Sequence, residues 1–204
     1  MTGLEKVKAQ CGLTHKVVIF SPYGSNMYGT ASEKSDDDMI CIVPDDAGIV
    51  TGTEYRKDRL NVQFYTRSDF QEQLNIHKVV PLECYLHPGE EKLKEQFKWR
   101  LDKAKLRQEW AAKASNSFVK AKKKIEVERD YYVGWKSLFH SLRILDFAAQ
   151  IARTGGIDDY GSANQHWFDI LNAQQYDWQF FKDKYQPVYN ELASELRKLA
   201  PLPD

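Results

Sequence analysis

Gly24 and Ser25 sit in the run Tyr23-Gly24-Ser25-Asn26-Met27-Tyr28-Gly29-Thr30, just after the β-branched stretch Lys16-Val17-Val18-Ile19-Phe20. A glycine and a hydroxyl at a turn that leaves a buried strand and opens a helix expose backbone N–H groups, and such groups bind phosphate. Farther along, Ser35-Asp36-Asp37-Asp38 leads into a second apolar run, Met39-Ile40-Cys41-Ile42-Val43. Strand side chains alternate faces, so Asp36 and Asp38 would point the same way. Two carboxylates beside a phosphate cradle are a site for Mg²⁺ or Mn²⁺, because hard divalent cations take oxygen ligands and bridge to substrate phosphates. Gly24, Ser25 and Ser35 are therefore candidate phosphate-binding residues, and Asp36 and Asp38 candidate metal ligands and catalytic groups. The plain alternative is an ordinary Gly-Ser turn followed by a solvated acidic turn.

These residues need a frame. Lys16–Phe20 reads as a short buried strand running into a Pro/Gly turn at Ser21-Pro22-Tyr23-Gly24-Ser25. Met39–Val43 is a second buried strand closed by Pro44-Asp45-Asp46, and Leu60–Tyr65 a third. Residues 44–59 between them are polar and read as a loop or ragged hairpin. After Arg67 the pattern turns helical: Asp69–Ile76, Pro81–Leu86, one long helix or two over Glu90–Lys124, then Lys136–Arg153, Ser162–Ala173 and Asp177–Leu199. Leu138, Leu142, Leu145 and Ala149 form one stripe of the Lys136 helix, which Gly155-Gly156 should end. The expected fold class is α+β with an α/β core: a small mixed sheet in residues 1–88, then a C-terminal helical bundle in 89–204 closing the cleft.

Composition bounds what such a protein does. The 204 residues carry 29 Lys+Arg and 29 Asp+Glu, a net charge of zero that excludes a bulk polycation but permits a local basic patch. Hydrophobic residues make up 42% and aromatics 13%, enough for a real core and unlike a disordered chain. No apolar run approaches the roughly 20 residues of a membrane span, and the first residues lack a signal-peptide core. Three cysteines, Cys11, Cys41 and Cys84, have neither disulfide parity nor zinc spacing. A reduced, cytoplasmic protein with no membrane partner is expected. Zero net charge offers little colloidal repulsion and leaves the oligomeric state open.

The Gly-Ser turn followed by Asp-x-Asp at a strand head resembles the signature of the DNA polymerase β-like nucleotidyltransferase superfamily. Tyr28-Gly29-Thr30, Phe64-Tyr65-Thr66 with Phe70, and His77 through Pro81-Leu82-Glu83-Cys84 to Pro88 extend the likeness to predicted nucleotidyltransferases of bacteria and bacteriophages. Lys136-Ser137-Leu138-Phe139-His140-Ser141-Leu142-Arg143 and Leu199-Ala200-Pro201 do the same, so the similarity covers nearly the whole chain. The resemblance implies a metal-dependent transfer of a nucleoside monophosphate from an NTP to an acceptor hydroxyl, with pyrophosphate released. An RNA end is the favoured acceptor, by analogy with RNA-repair relatives. A protein side chain or small molecule is the variant, and a non-catalytic nucleotide sensor the alternative.

One departure stands out. The superfamily has a third carboxylate on the strand beside the Asp-x-Asp strand, and here that position is Asn61, with Gln63 two residues on. Asparagine keeps the shape, loses the charge, and presents an amide nitrogen that repels a cation. Losing the carboxylate that holds the hydroxyl-activating metal should spare NTP binding more than chemistry. Asn61 is open to three readings: an inactivating substitution that traps a complex, natural degeneration to a nucleotide-binding pseudoenzyme, or replacement by Asp58 or Glu54. Asp58 lies an odd number of residues from Asn61 and would need a bulge to share its face.

The helical half offers two basic groupings. Lys136, His140 and Arg143, spaced i, i+4, i+7, lie on one helix face suited to a triphosphate, or are solvated residues with His140 bonded to a neighbour. Lys113, Lys120, Lys122, Lys123 and Lys124 form the densest basic segment, and Ser117, Lys120 and Lys124 share a face that would contact an RNA acceptor. Glu126, Glu128 and Asp130 follow at once, so a salt-bridged surface is the competing expectation. Glu83, in an apolar setting, needs a partner, for which an ion pair is the ordinary choice. His77 and His87 lack a third ligand in register, the five tryptophans read as packing, and Tyr23 or Tyr28 could stack on a base.

Overall fold

The computed structural model describes residues 17–33 and 35–203. Cys11 and Lys16 lie outside them. The fold is mixed α+β and divides into two compact units, one ending at Trp99 and the other beginning at Arg100. The helix expected to open the second half thus belongs to the first, beyond the boundary expected after residue 88.

In the first unit, strands β1 (Ile19–Pro22), β2 (Asp37–Val43), β3 (Glu54–Lys57) and β4 (Leu60–Thr66) form one sheet in the order β1-β2-β4-β3. β1 is antiparallel to β2, β2 parallel to β4, and β3 hairpins onto β4. The first strand starts and ends later than the sequence suggested, because Ser21 and Pro22 continue it rather than turn. Pro22 is tolerated at the end of an edge strand, where its missing N–H interrupts no ladder. β2 begins two residues early because Asp37 and Asp38 pair with Leu60 and Asn61. The polar stretch 44–59 contains the β3 half of a hairpin whose turn is Asp58-Arg59.

Alternation then sorts the sheet. Cys41, Val43, Val62 and Phe64 pack with Ala47 on one face, which leaves Asp38, Ile40 and Ile42 of β2 and Asn61, Gln63 and Tyr65 of β4 on the other. Helices α1 (Ser25–Tyr28), α2 (Arg67–Asn75), α3 (Val79–Leu86) and α4 (Glu91–Gln96) complete the unit. Phe70 of α2 meets Tyr65 and Phe97 edge-to-face at 5.7 and 4.9 Å. Thr66 caps α2 by accepting from the Asp69 N–H, and Asp69 in turn accepts from the Thr66 and Thr51 hydroxyls.

The charged stretch Glu90–Lys124 is not one helix. It breaks between α4 and α5 (Lys103–Lys122) because residues 97–99 are captured in an extended path. Gln71 holds both backbone groups of Lys98, accepting from its N–H at 2.9 Å and donating to its carbonyl at 2.6 Å. Phe97 is buried, and Trp99 packs on His77 and Tyr85.

The second unit holds α5, a π-helical turn at Lys123–Val127, α6 (Tyr131–Thr154), α7 (Asn164–Asn172) and α8 (Trp178–Leu199). The expected stripe Leu138, Leu142, Leu145 and Ala149 is buried, and so are Phe139, Ile144, Phe147, Ala148, Ile151 and Ala152. α6 is therefore the central helix, packed by α5, α7 and α8. Gly155 ends it in the left-handed conformation expected of a C-cap glycine. Gly134 is required for a different reason: a Cβ there would stand 2.4 Å from Ile125 Cγ1. Among the described residues no helix is long and apolar enough to cross a membrane.

Candidate functional site

The turn between β1 and β2 is built by close approach. Gly24 has φ 77° and ψ −148°, a conformation open to glycine alone, and a Cβ on it would lie 2.7 Å from Asp38 Oδ2. Its carbonyl accepts from the Met27 and Tyr28 N–H groups, starting the single turn of α1 at Ser25, and Tyr23 N–H donates to the Asp38 carbonyl at 2.9 Å. The Gly-Ser turn is thereby pressed against the head of β2. The first-turn N–H groups of Ser25 and Asn26 have no intrahelical acceptor.

Two grips from α3 fix that turn. The Cys84 thiol lies 3.8 Å from the Pro22 carbonyl, just before it, and the Tyr28 hydroxyl donates to Glu83 Oε2 at 2.5 Å, just after it. The Glu83 carboxylate is fully buried, and the Tyr28 phenol is one of its partners. Tyr28 is itself buried and bonded there, so it is not available to stack on a base. Tyr23 is the remaining candidate. Burial, then the negative field of Asp38, holds its phenol well above the usual range and keeps it protonated.

Asp38 and Asn61 are direct neighbours in the parallel ladder, and Asn61 Nδ2 donates to Asp38 Oδ1 at 2.7 Å. Asn61 is 9% exposed, and its own Oδ1 is buried without a hydrogen-bond partner. The amide has turned its donor to the carboxylate and left its acceptor unanswered, which is unusual inside a protein. Asp36 stands one residue before β2 and is exposed, not within the strand as expected. It is flanked by two links to Arg59: the Asp37 N–H donates to the Arg59 carbonyl, and the Arg59 guanidinium donates to the Ser35 carbonyl at 2.7 and 3.0 Å. The Ser35 hydroxyl accepts from the Ser32 N–H.

Of the two acids considered as replacements, Asp58 has φ 55° in the hairpin turn and lies outside the strands. Glu54 is opposite Gln63 and so shares the face of Asn61, but it pairs with Arg56 at 3.1 Å. Among the described residues no three His, Cys, Asp or Glu side chains converge so as to hold a metal ion. Asp36 and Asp38 are oxygen donors of the kind Mg²⁺ takes. Beside them the Asn61 amide aims an N–H at Asp38.

The other candidates lie in the second unit. Lys136, His140 and Arg143 share one face of α6, with Arg143 only 3% exposed and its guanidinium 5.0 Å over the Phe147 ring. The dense lysine segment splits. Lys122 pairs with Glu126, Lys123 with Glu128, and Lys124 with Glu128 at 2.6 Å and Asp130 at 3.4 Å. Lys124 thus pairs with two acids. Lys120 and Ser117 lie outside that network.

No protein-family model matches the sequence, and no curated protein matches it. Among solved structures, the nucleotidyltransferase-like protein from Exiguobacterium sibiricum 255-15, determined at 1.90 Å resolution, is similar over 96% of this chain and 72% of that chain, with 9% identity and a TM-score of 0.33. Functional weight therefore falls on the residues of the chain itself.

Proposed function

We propose that the chain binds a nucleoside triphosphate with Mg²⁺ at the Gly24–Asp38 turn and is a nucleotidyltransferase whose chemistry is weakened by Asn61. The observation that carries this reading is the contact of Gly24 with Asp38 beside Asn61: a phosphate-binding turn, a carboxylate and the position of the missing carboxylate on one sheet face. The exposed N–H groups at Ser25 and Asn26 would cradle phosphate oxygens, and Tyr23 would border the nucleotide. Asp36 and Asp38 would hold Mg²⁺, which would supply positive charge against the phosphates. An acceptor hydroxyl, on an RNA end in the favoured case, would attack the α-phosphorus. The bond to the β-phosphate oxygen breaks and pyrophosphate leaves. Asn61 cannot take the hydroxyl proton, which must go to solvent, so turnover is slow.

The Asn61–Asp38 hydrogen bond favours a second reading, a non-catalytic nucleotide sensor. One experiment separates them: α-³²P-labelled NTPs with Mg²⁺ or Mn²⁺, and cellular RNA and protein as acceptors, offered to the chain and to Asn61→Asp. Label transfer by both supports the enzyme, and transfer by the variant alone supports the sensor. NTP affinity unchanged by Asp36→Ala and Asp38→Ala overturns both.

A further inference from the structure

The helical unit sorts its lysines into two kinds. Lys122, Lys123 and Lys124 each have an acidic partner. Lys113, Lys120 and Lys136 make no ion pair among the described residues, although acids are as frequent as bases in the chain. Lys113 and Lys120 are seven residues apart on α5, and Lys136 and Arg143 are seven apart on α6. At about 1.5 Å per residue each pair spans roughly 10 Å along its helix. A short connection joins these two packed helices, so they run antiparallel, and the fit of Gly134 on Ile125 sets their level. Lys120 then stands beside His140, with Arg143 between the levels of Lys120 and Lys113.

We infer that Lys113 and Lys120 of α5 join Lys136 and Arg143 of α6 in one binding site for a polyphosphate chain, such as the tail of a nucleoside triphosphate. Two parallel rows of cations about 10 Å long suit several linked phosphates better than one. Arg143, buried against Phe147, supplies a preorganised planar fork, and the lysines on the rim supply mobile point charges. His140 lies in the α6 row, between Lys136 and Arg143. Burial first, then the fields of Arg143, Lys136, Lys120 and Lys113, hold its imidazole well below the usual range. That convergence on one ring from both helices agrees with the level set by Gly134. It also reassigns Lys120, which the sequence had placed with an RNA-contacting row.

The site draws on the nucleotide reading only for the source of its ligand, and the test separates the two. Inorganic tripolyphosphate is titrated calorimetrically into the full chain, into Lys113→Gln/Lys120→Gln, into Lys136→Gln, and into the control Lys122→Gln/Lys123→Gln. The dissociation constant should rise at least tenfold in the first double variant and in Lys136→Gln. It should stay within twofold in the control, and Lys113→Arg/Lys120→Arg should retain binding. No binding by the unaltered chain, or equal losses in both double Gln variants, would overturn the site in favour of diffuse charge. ATP displacing tripolyphosphate supports a nucleotide source, whereas a short single-stranded RNA displacing it more tightly than ATP overturns the assignment. If tripolyphosphate binds as stated and no label is transferred by any form, the transfer reading fails and this site stands.

Discussion

The sheet face around Asp38 and the helix face around His140 treat charge in opposite ways. At Asp38 the molecule answers a carboxylate from within, with the Asn61 amide 2.7 Å away. At His140 it accumulates cations from two helices around one ring, three of them lysines without acidic partners among the described residues. A hydrogen bond that satisfies a carboxylate removes one of its oxygens from service as a ligand. Like charges left together cost stability until a counter-charge arrives. The first region holds its charge in a hydrogen bond, whereas the second keeps a surplus of positive charge.

The largest effect that can break this comparison comes from Gly24. Gly24→Ala forces a Cβ into Asp38 and into a backbone conformation that alanine avoids, and should cost about 1–3 kcal/mol in urea denaturation while abolishing NTP binding. A variant as stable as the parent would mean that the turn is not pressed on Asp38. Next comes Asn61→Asp, which sets two carboxylates side by side. Without divalent ions it should lose about 1–3 kcal/mol, and Mg²⁺ should restore it by mass action. The same Mg²⁺ should raise the melting temperature of the parent much less, and equal gains would erase the contrast.

A smaller effect is read in acid. The folded pKa of His140 lies below its unfolded value, so its stabilisation is fully present above the unfolded pKa of about 6.5 and is lost as pH falls toward the folded value. Urea midpoints of the parent should fall between pH 7 and 5, and His140→Gln should flatten that slope. A parallel pair of profiles would remove His140 from the group. The smallest effect is at Lys122→Gln/Lys123→Gln, whose exposed ion pairs should leave thermal melting nearly unchanged. A larger loss would make those lysines part of the same electrostatic unit as Lys120.

Much of the frame was legible because it follows from period and turn chemistry. The stripe on α6 and its Gly155 stop could be read by eye, and so could the apolar runs of β2 and β4. What escaped involves partners distant in the chain. Gln71 holding Lys98 breaks a sequence that is helical in composition throughout. Ser21 and Pro22 look like a turn until Ile40 and Met39 pair with them. At the candidate site the residue types were visible, but the direction of the Asn61 amide was not, nor that Glu83 would meet a tyrosine 55 positions away. The division of one lysine-rich segment into paired and unpaired groups required knowing where Gly134 lets α5 and α6 meet.

The hairpin strand β3 carries a consequence for life in a crowded solution. It is the outer strand of an open sheet, and such strands offer unpaired backbone groups to any passing chain. With a net charge of zero, long-range repulsion does little to keep copies apart. Protection falls to the strand itself: it is four residues long, and Glu54, Arg56 and Lys57 leave Tyr55 as its one apolar side chain. Strand-to-strand polymerisation is discouraged at that border by local charge and brevity.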